Sequence, residues 1–212
     1  MKKLKNKLWY SYAFVWMDAS WKSTIVERIS NEINAVIVKD NNPKMSILRK
    51  TIEKSPLNDP DLRFDYYSLL SYNEVEIWKK ILLKQWKNIV FDRNSECTIA
   101  NNAAMWSIKA KNAKLEDITD FTPDLTFYLD VKKEERIKRM KSRWNITEAD
   151  KLLIKEWWLL DKTDKEYKKF DDIHIRIDTT NKTINEVVKE VKNYILDNIK
   201  NTIEENSEKM IK

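Results

Sequence analysis

Short uninterrupted apolar runs alternate along this chain with longer stretches whose apolar residues recur every three or four positions. Tyr12 to Met17 is the first run and reads as a buried strand. Lys22 to Asn34 follows, with Ile25, Val26, Ile29 and Ile33 at helical spacing. Ala35 to Val38 is the second strand candidate, followed by the turn residues Asn41, Asn42 and Pro43. Another turn, at Pro56, Asn58, Asp59 and Pro60, precedes a helical stretch from Leu62 to about Lys84. Ile89 to Phe91 forms the third run and ends in Asp92-Arg93. Helical material follows from Thr98 to Lys111, then a fourth strand from Leu125 to Val131 and a basic helix from Glu134 to Arg143. Thr147 opens a further helix, with Glu148 and Asp150 in its first turn. Ile173 to Ile177 is the fifth strand, and Ile184 to Ile199 the last helix. Strands that are apolar throughout and alternate with helices predict an α/β fold, its parallel sheet covered on both faces.

Composition narrows the class. The chain has 212 residues, 42% hydrophobic and 35% charged, which suits one soluble domain with a small lid. No apolar run approaches the ~18 residues of a membrane span. The basic N-terminus, with Lys2, Lys3, Lys5 and Lys7, lacks a small-residue cleavage site behind its apolar run, which argues against a signal peptide. A single cysteine, Cys97, excludes an internal disulfide framework and fits a reducing cytoplasm. The formal charge of +6 is spread and interleaved with acids, so it predicts solvated helix faces and no specific nucleic-acid footprint.

The candidate chemistry lies where the first strand meets the first helix. Val15-Trp16-Met17-Asp18-Ala19-Ser20-Trp21-Lys22-Ser23-Thr24 would be a phosphate loop of the G-x-x-x-x-G-K-S/T type if both tryptophans were glycine. In such a loop the backbone N–H groups of Trp16 to Thr24 and the helix N-terminus cradle phosphates. Lys22 would neutralise phosphate charge, and the Ser23 hydroxyl would face Mg²⁺. Asp92-Arg93 ends an apolar strand, where α/β sheets place ligands. There a carboxylate suits a metal ion or a proton, and an arginine suits a phosphate; an ordinary strand-end ion pair is the alternative. Arg136, Arg139 and Arg143 recur near one helix face, either as a solvated basic surface or as a lid that gives arginines to a transferring phosphoryl group. Tyr66, Tyr67 and Tyr72 are candidates for stacking on a base, though aromatics at helical spacing are commonly core. His174, in a strand, reads as structural, and Cys97 has no histidine near it in sequence.

From Tyr12 to Leu196 the chain resembles the thymidylate kinase family of P-loop nucleoside monophosphate kinases. Asp18 resembles the acidic residue of that family's loop. Asp92-Arg93-Asn94 resembles D-R-Y, Cys97-Thr98-Ile99-Ala100 the S-T-x-A after it, and Pro123 to Val131 the P-D-L-x-x-x-L-D-V strand. Glu135 to Arg143-Trp144 resembles the helix that enters the lid. The resemblance implies a three-layer P-loop NTPase fold with a five-stranded parallel sheet and a small helical lid at about 136–158. It implies residues 11–200 as the kinase domain, 1–10 as a basic extension and 201–212 as a charged tail that frays. It further implies transfer of the γ-phosphoryl group of ATP to dTMP with Mg²⁺ in a homodimer. Carried over by position, Lys22 and Ser23 serve ATP and metal, and Asp18 approaches the acceptor; Asp92 keeps its strand-end reading as a metal or proton carboxylate. Arg93 holds the acceptor phosphate, and Arg139 or Arg143 supplies the transition-state arginine, because Ala19 leaves no basic residue inside the loop. Lys39, in Val38-Lys39-Asp40, is the nearest counterpart of T-R-E-P-G. Arg63, Tyr66 and Tyr67 occupy the thymine region without matching F-x-x-x-R, which leaves a kinase for another nucleotide or nucleoside as the alternative.

Glycine is the missing residue. Average usage is about 7%, yet the chain has none and nine tryptophans. Trp16, Trp21, Trp86, Trp106 and Trp144 stand where this fold asks for glycine, at loop positions or helix ends. A gene that spells glycine as UGA, translated with UGA as tryptophan, has this pattern and predicts UGA codons at those five positions. Trp78, Trp157 and Trp158 make no such demand. With literal tryptophans the loop is strained and filled by indole, and the expectation changes to a catalytically inactive P-loop scaffold.

Overall fold

The computed structural model describes residues 9–16, 21–39, 48–52, 59–75, 81–82, 85, 87–142 and 148–211. Five strands, β1 (Ser11–Trp16), β2 (Ala35–Val38), β3 (Asn88–Asp92), β4 (Leu125–Asp130) and β5 (His174–Asp178), form one parallel sheet in the order β2-β3-β1-β4-β5. The register puts Phe14 opposite Asp92 and Trp16 opposite Leu129. All strands therefore end on one edge of the sheet, where the switch in strand order opens a crevice.

Alternation along each strand explains the two cores. Tyr12 and Phe14 of β1 and Phe127 and Leu129 of β4 face one side. There they pack against Ile25 and Ile29 of α1 (Lys22–Glu32) and Val187, Val191 and Ile195 of the last helix. Val15 and Tyr128 face the other side, against a layer that includes Cys97, Ala100, Leu159 and Tyr167. Every one of these side chains is buried. Burying a large apolar side chain contributes about 1.5–3 kcal/mol, so both faces of the sheet demand a cover.

The helices differ from the sequence expectation in informative ways. α2 (Pro60–Asn73) starts where Asp59 accepts a hydrogen bond from the Leu62 N–H at 2.8 Å and Pro60 takes the first helical position. The helical material read from Thr98 to Lys111 forms two helices, α3 (Ser95–Ala104) and α4 (Ile108–Asn112). Trp106 breaks them apart at φ 67°, and the Ser107 hydroxyl caps α4 through the Ala110 N–H. α5 (Lys133–Lys141), α6 (Glu148–Lys155) and α7 (Trp158–Tyr167) follow β4. The final helix, α8 (Ile184–Ile211), continues past Ile199 instead of ending there, so the segment expected to fray is helical to Ile211.

Candidate active site

The phosphate-loop segment is bracketed by two well-defined elements. β1 ends at Trp16 in extended backbone, and α1 opens at Lys22. Asp18, Ala19 and Ser20 lie outside the described residues, as do the side chains of Trp16 and Lys22. Trp21 is the N-cap of α1 at φ 60°, ψ 23°, the left-handed conformation. Its carbonyl accepts the first helical hydrogen bond, from Ile25 N–H at 3.1 Å, and its side chain caps nothing. A non-glycine residue there costs about 1–2 kcal/mol. Ser23 and Thr24 are exposed in the first turn of α1.

Asp92 closes β3 beside this loop. Arg93 follows at φ 93° and donates its backbone N–H to the Phe14 carbonyl at 3.2 Å, which ties the strand end to β1. The D-R pair therefore stands on the same sheet edge as the loop, as the motif order predicted.

The basic helix departs from the reading of a solvated basic surface. Arg136 and Arg139 are buried, so α5 presents no solvated arginine face. Arg139 lies over the Trp21 indole at 3.7 Å from carbon Cζ to the ring centroid. It donates Nε to Glu135 at 2.9 Å, Nη1 to Thr179 Oγ1 at 3.2 Å, and Nη2 to the Thr179 carbonyl at 2.8 Å. This arginine fastens the loop after β5 to the start of α1, and sequence reasoning missed its partners Thr179 and Thr180. Their signal was present: polar residues directly after a strand end, on the edge where ligands bind. The arginine hydrogen bonds hold the Glu135 carboxyl below its usual range. Arg143, with Trp144, lies outside the described residues.

Between them, α2 and α3 form a polar wall. Arg63 is buried and donates Nη1 to the Asn102 side-chain oxygen. Asn102 in turn donates to the Thr98 carbonyl at 2.7 Å, and Ser71 and Thr98 hydroxyls share a hydrogen bond at 2.7 Å. The Arg63 guanidinium lies 4.7 Å from the Tyr67 ring centroid and Arg49 lies 5.9 Å from it. Tyr66 is buried against Tyr67, while Tyr72 points outward and is 48% exposed, which removes it from the stacking candidates. Lys39, past the end of β2, is exposed, and Asp40 lies outside the described residues. Asn102, Thr98, Ser71 and Arg49 were not foreseen, because their role comes from contacts between helices.

Directly after Arg93, Asn94, Ser95 and Glu96 are buried. Burial pushes the Glu96 carboxyl up to about 7. Burial also raises the Cys97 thiol, which makes it a poor nucleophile. His174 packs against Tyr128 and Phe170 with ring centroids 5.9 Å apart in both pairs, and burial lowers it to about 4, so it is a neutral core ring.

Among the described residues no cluster of three or more histidine, cysteine or acidic side chains is placed to hold a metal ion. Ser23 and Asp92 offer hard oxygen donors, the type Mg²⁺ takes, but too few to hold it without phosphate oxygens. Such an ion fits this edge as a companion of a bound nucleotide.

The thymidylate kinase family model matches residues 17–191. No curated protein matches the chain in sequence. Among solved structures, thymidylate kinase from Candida albicans superposes with a TM-score of 0.68 at 19% identity, covering 91% of this chain and 93% of its own. Deoxyadenosine kinase from M. mycoides, with dCMP and dCDP bound, gives 0.65 at 19% identity, over 88% and 99%. Thymidylate kinase from Ehrlichia chaffeensis gives 0.62 at 19% identity, over 89% and 98%.

Proposed function

The chain belongs to the thymidylate kinase family and is a nucleotide-phosphorylating transferase, and we propose that it moves the γ-phosphoryl group of ATP to dTMP, giving dTDP and ADP. One observation carries the reading. A strand that ends at Trp16 and a helix that opens at Lys22 flank a loop of phosphate-binding spacing, with Asp92-Arg93 beside it in register. Lys22 and the loop N–H groups hold the donor phosphates, with Asp18, Ala19, Ser20 and Thr24 completing the loop. Arg93 holds the acceptor phosphate and Asp18 faces its sugar side. Arg63, Tyr67 and Lys39 form the outer acceptor wall, and Tyr66 backs it. Arg143 supplies charge to the transferring group, while Arg139 positions the loop. Ser23 and Asp92 are the oxygen ligands for Mg²⁺, which neutralises phosphate charge when bound.

The reading further includes a kinase domain over residues 11–200 with a lid at about 136–158, and a cytoplasmic location. Among the described residues no helix is long and apolar enough to cross a membrane. Leu62, Leu69 and Tyr72 lie exposed along α2, a stripe suited to a homodimer. Leu69→Glu should shift sedimentation toward the monomer.

Trp21 and Trp106 in left-handed conformations support glycine at those codons. The assay therefore uses protein with glycine at positions 16, 21, 86, 106 and 144. dTMP should stimulate ADP release at least tenfold over dCMP, dGMP and AMP. Equal stimulation by another nucleotide would move the assignment to a related kinase, a reading that the absence of an F-x-x-x-R match in α2 favours. UGG codons at 16 and 21, with no ATP binding by the tryptophan-bearing chain, would favour an inactive scaffold.

A further inference from the structure

A polar cavity lies between the end of β4, the start of α5 and the outer part of α7. Its volume is about 180 Å³, and its lining includes Asp130, Lys132, Lys133, Arg136, Asp161 and Asp164. Holding one water takes about 10–15 Å³ on the same scale, so the space fits a polyatomic ion with its water shell.

The charges are unevenly satisfied. Asp161 pairs with Lys133 at 2.7 Å. Asp130 pairs with Arg176 at 3.2 Å. Asp164 accepts from the Tyr128 hydroxyl at 3.1 Å and pairs with Lys168 at 3.4 Å. Each carboxylate thus has a partner. Arg136 does not: it is only 4% exposed, its Nη2 donates to the Val131 carbonyl at 3.0 Å, and its Nε is buried without an acceptor. Among the described residues no carboxylate pairs with it. A buried cation with one neutral acceptor is costly unless an anion joins it. Lys132 adds an exposed ammonium on the lining.

We propose that this cavity binds a small oxyanion of the phosphate class, held by Arg136 from within and by Lys132 at the rim. Arginine's planar fork gives a tetrahedral oxyanion two parallel hydrogen bonds. Among the described residues, Trp21, Ser23 and Thr24 at the start of α1 are not part of its lining. Because α5 carries both Arg136 and Arg139, an anion here would brace the helix that fastens the loop after β5.

The test removes the donor loop from the measurement. Inorganic phosphate is titrated calorimetrically into full-length protein carrying Lys22→Ala. Saturable one-to-one binding is expected. Adding Arg136→Gln should weaken it at least tenfold, Arg136→Lys should restore part of it, and Lys132→Glu should weaken it several-fold. Absence of saturable binding in the Lys22→Ala protein overturns the proposal, as does an unchanged affinity with Arg136→Gln. Should circular dichroism show that Arg136→Gln has not folded, the exposed Lys132→Glu variant decides, and unchanged affinity there overturns the site. AMP, tested in parallel, separates the sources. Binding with the same dependence on Arg136 identifies a nucleotide phosphate, and binding of inorganic phosphate alone identifies the free ion.

Discussion

The proposed donor edge, where β1 and β3 end, and the proposed acceptor wall, between α2 and α3, are built from different material. At the donor edge the decisive features are torsions: Trp21 in the left-handed region and Arg93 at φ 93°. What this edge gives a phosphate is backbone N–H groups and a helix terminus. The acceptor wall is built from side chains that reach across helices, Arg63 to Asn102, Asn102 to Thr98, and Thr98 to Ser71. The first kind of site is specified by a few adjacent residues. The second exists only once α2 and α3 have packed. Substitutions should therefore separate the two by what they change: rate at the donor edge, acceptor affinity and stability at the wall.

Lys22→Ala is the largest expected effect. On glycine-bearing protein it should lower kcat by on the order of 10²–10³-fold, with the KM for acceptor little changed. A fall in acceptor affinity of similar size would mean that the two regions are not separable. Arg63→Met comes next. It strips the buried Asn102 oxygen of its donor, which costs about 1–3 kcal/mol, and should raise acceptor KM about tenfold with kcat reduced less. An unchanged KM would remove Arg63 from the wall.

This division also explains what the sequence could reveal. The five strands and their parallel sense were legible, because apolar runs are local; the strand order was not read. The break between α3 and α4 was half legible: Trp106 was marked as a helix end, but the cap by Ser107 was not. The inward turn of Arg136 and Arg139 was hidden, since a basic run of period three or four looks the same whether its face meets water or carbonyl groups. The partners Thr179 and Thr180 lie about 40 residues from Arg139, as its hydrogen bonds record. No local pattern encodes a contact of that span. At the acceptor wall Arg63, Tyr66 and Tyr67 were marked from the sequence, and their partners Asn102, Thr98 and Ser71 across the helices were missed for the same reason.

Two groups, one beside the wall and one on the edge strand β5, should also titrate in opposite senses. Glu96, next to the wall, has its folded pKa raised to about 7 from an ordinary 4.5. Its contribution is present below the unfolded value and is lost as pH rises through 7. His174, on β5, is lowered to about 4 from 6.5. Its contribution is present above the unfolded value and is lost as pH falls through 4. Each shift corresponds to about 3–4 kcal/mol at most. Between these limits the slopes oppose, so the parent protein should be nearly flat from about pH 5 to 6.5. In urea melts, Glu96→Gln should leave a stability that climbs with pH across that window and should stabilise the protein at pH 8. His174→Phe should leave one that declines. Parallel profiles for both variants would show that neither group is held as the structure places it.

The smallest expected effect bears on the feature that the two regions share. Trp106 ends α3 near the wall as Trp21 begins α1 at the donor edge, and both take positive φ. Trp106→Gly relieves about 1–2 kcal/mol of left-handed strain. It also loses the contact with Trp158, whose ring centroid is 4.9 Å away, worth about 0.5–1.5 kcal/mol. The Lys162 ammonium 3.8 Å from its centroid adds about 0.5–1 kcal/mol at an exposed site. The net change should lie within about 1 kcal/mol of zero, since these opposing effects are of similar size. Trp106→Ala loses the same contacts and keeps the strain, so it should be less stable than the glycine variant by about 1 kcal/mol. The glycine–alanine difference thus isolates the backbone demand from everything the indole touches. If alanine equals or exceeds glycine, position 106 does not hold a left-handed residue, and the support that this helix end lends to glycine at Trp21 is withdrawn with it.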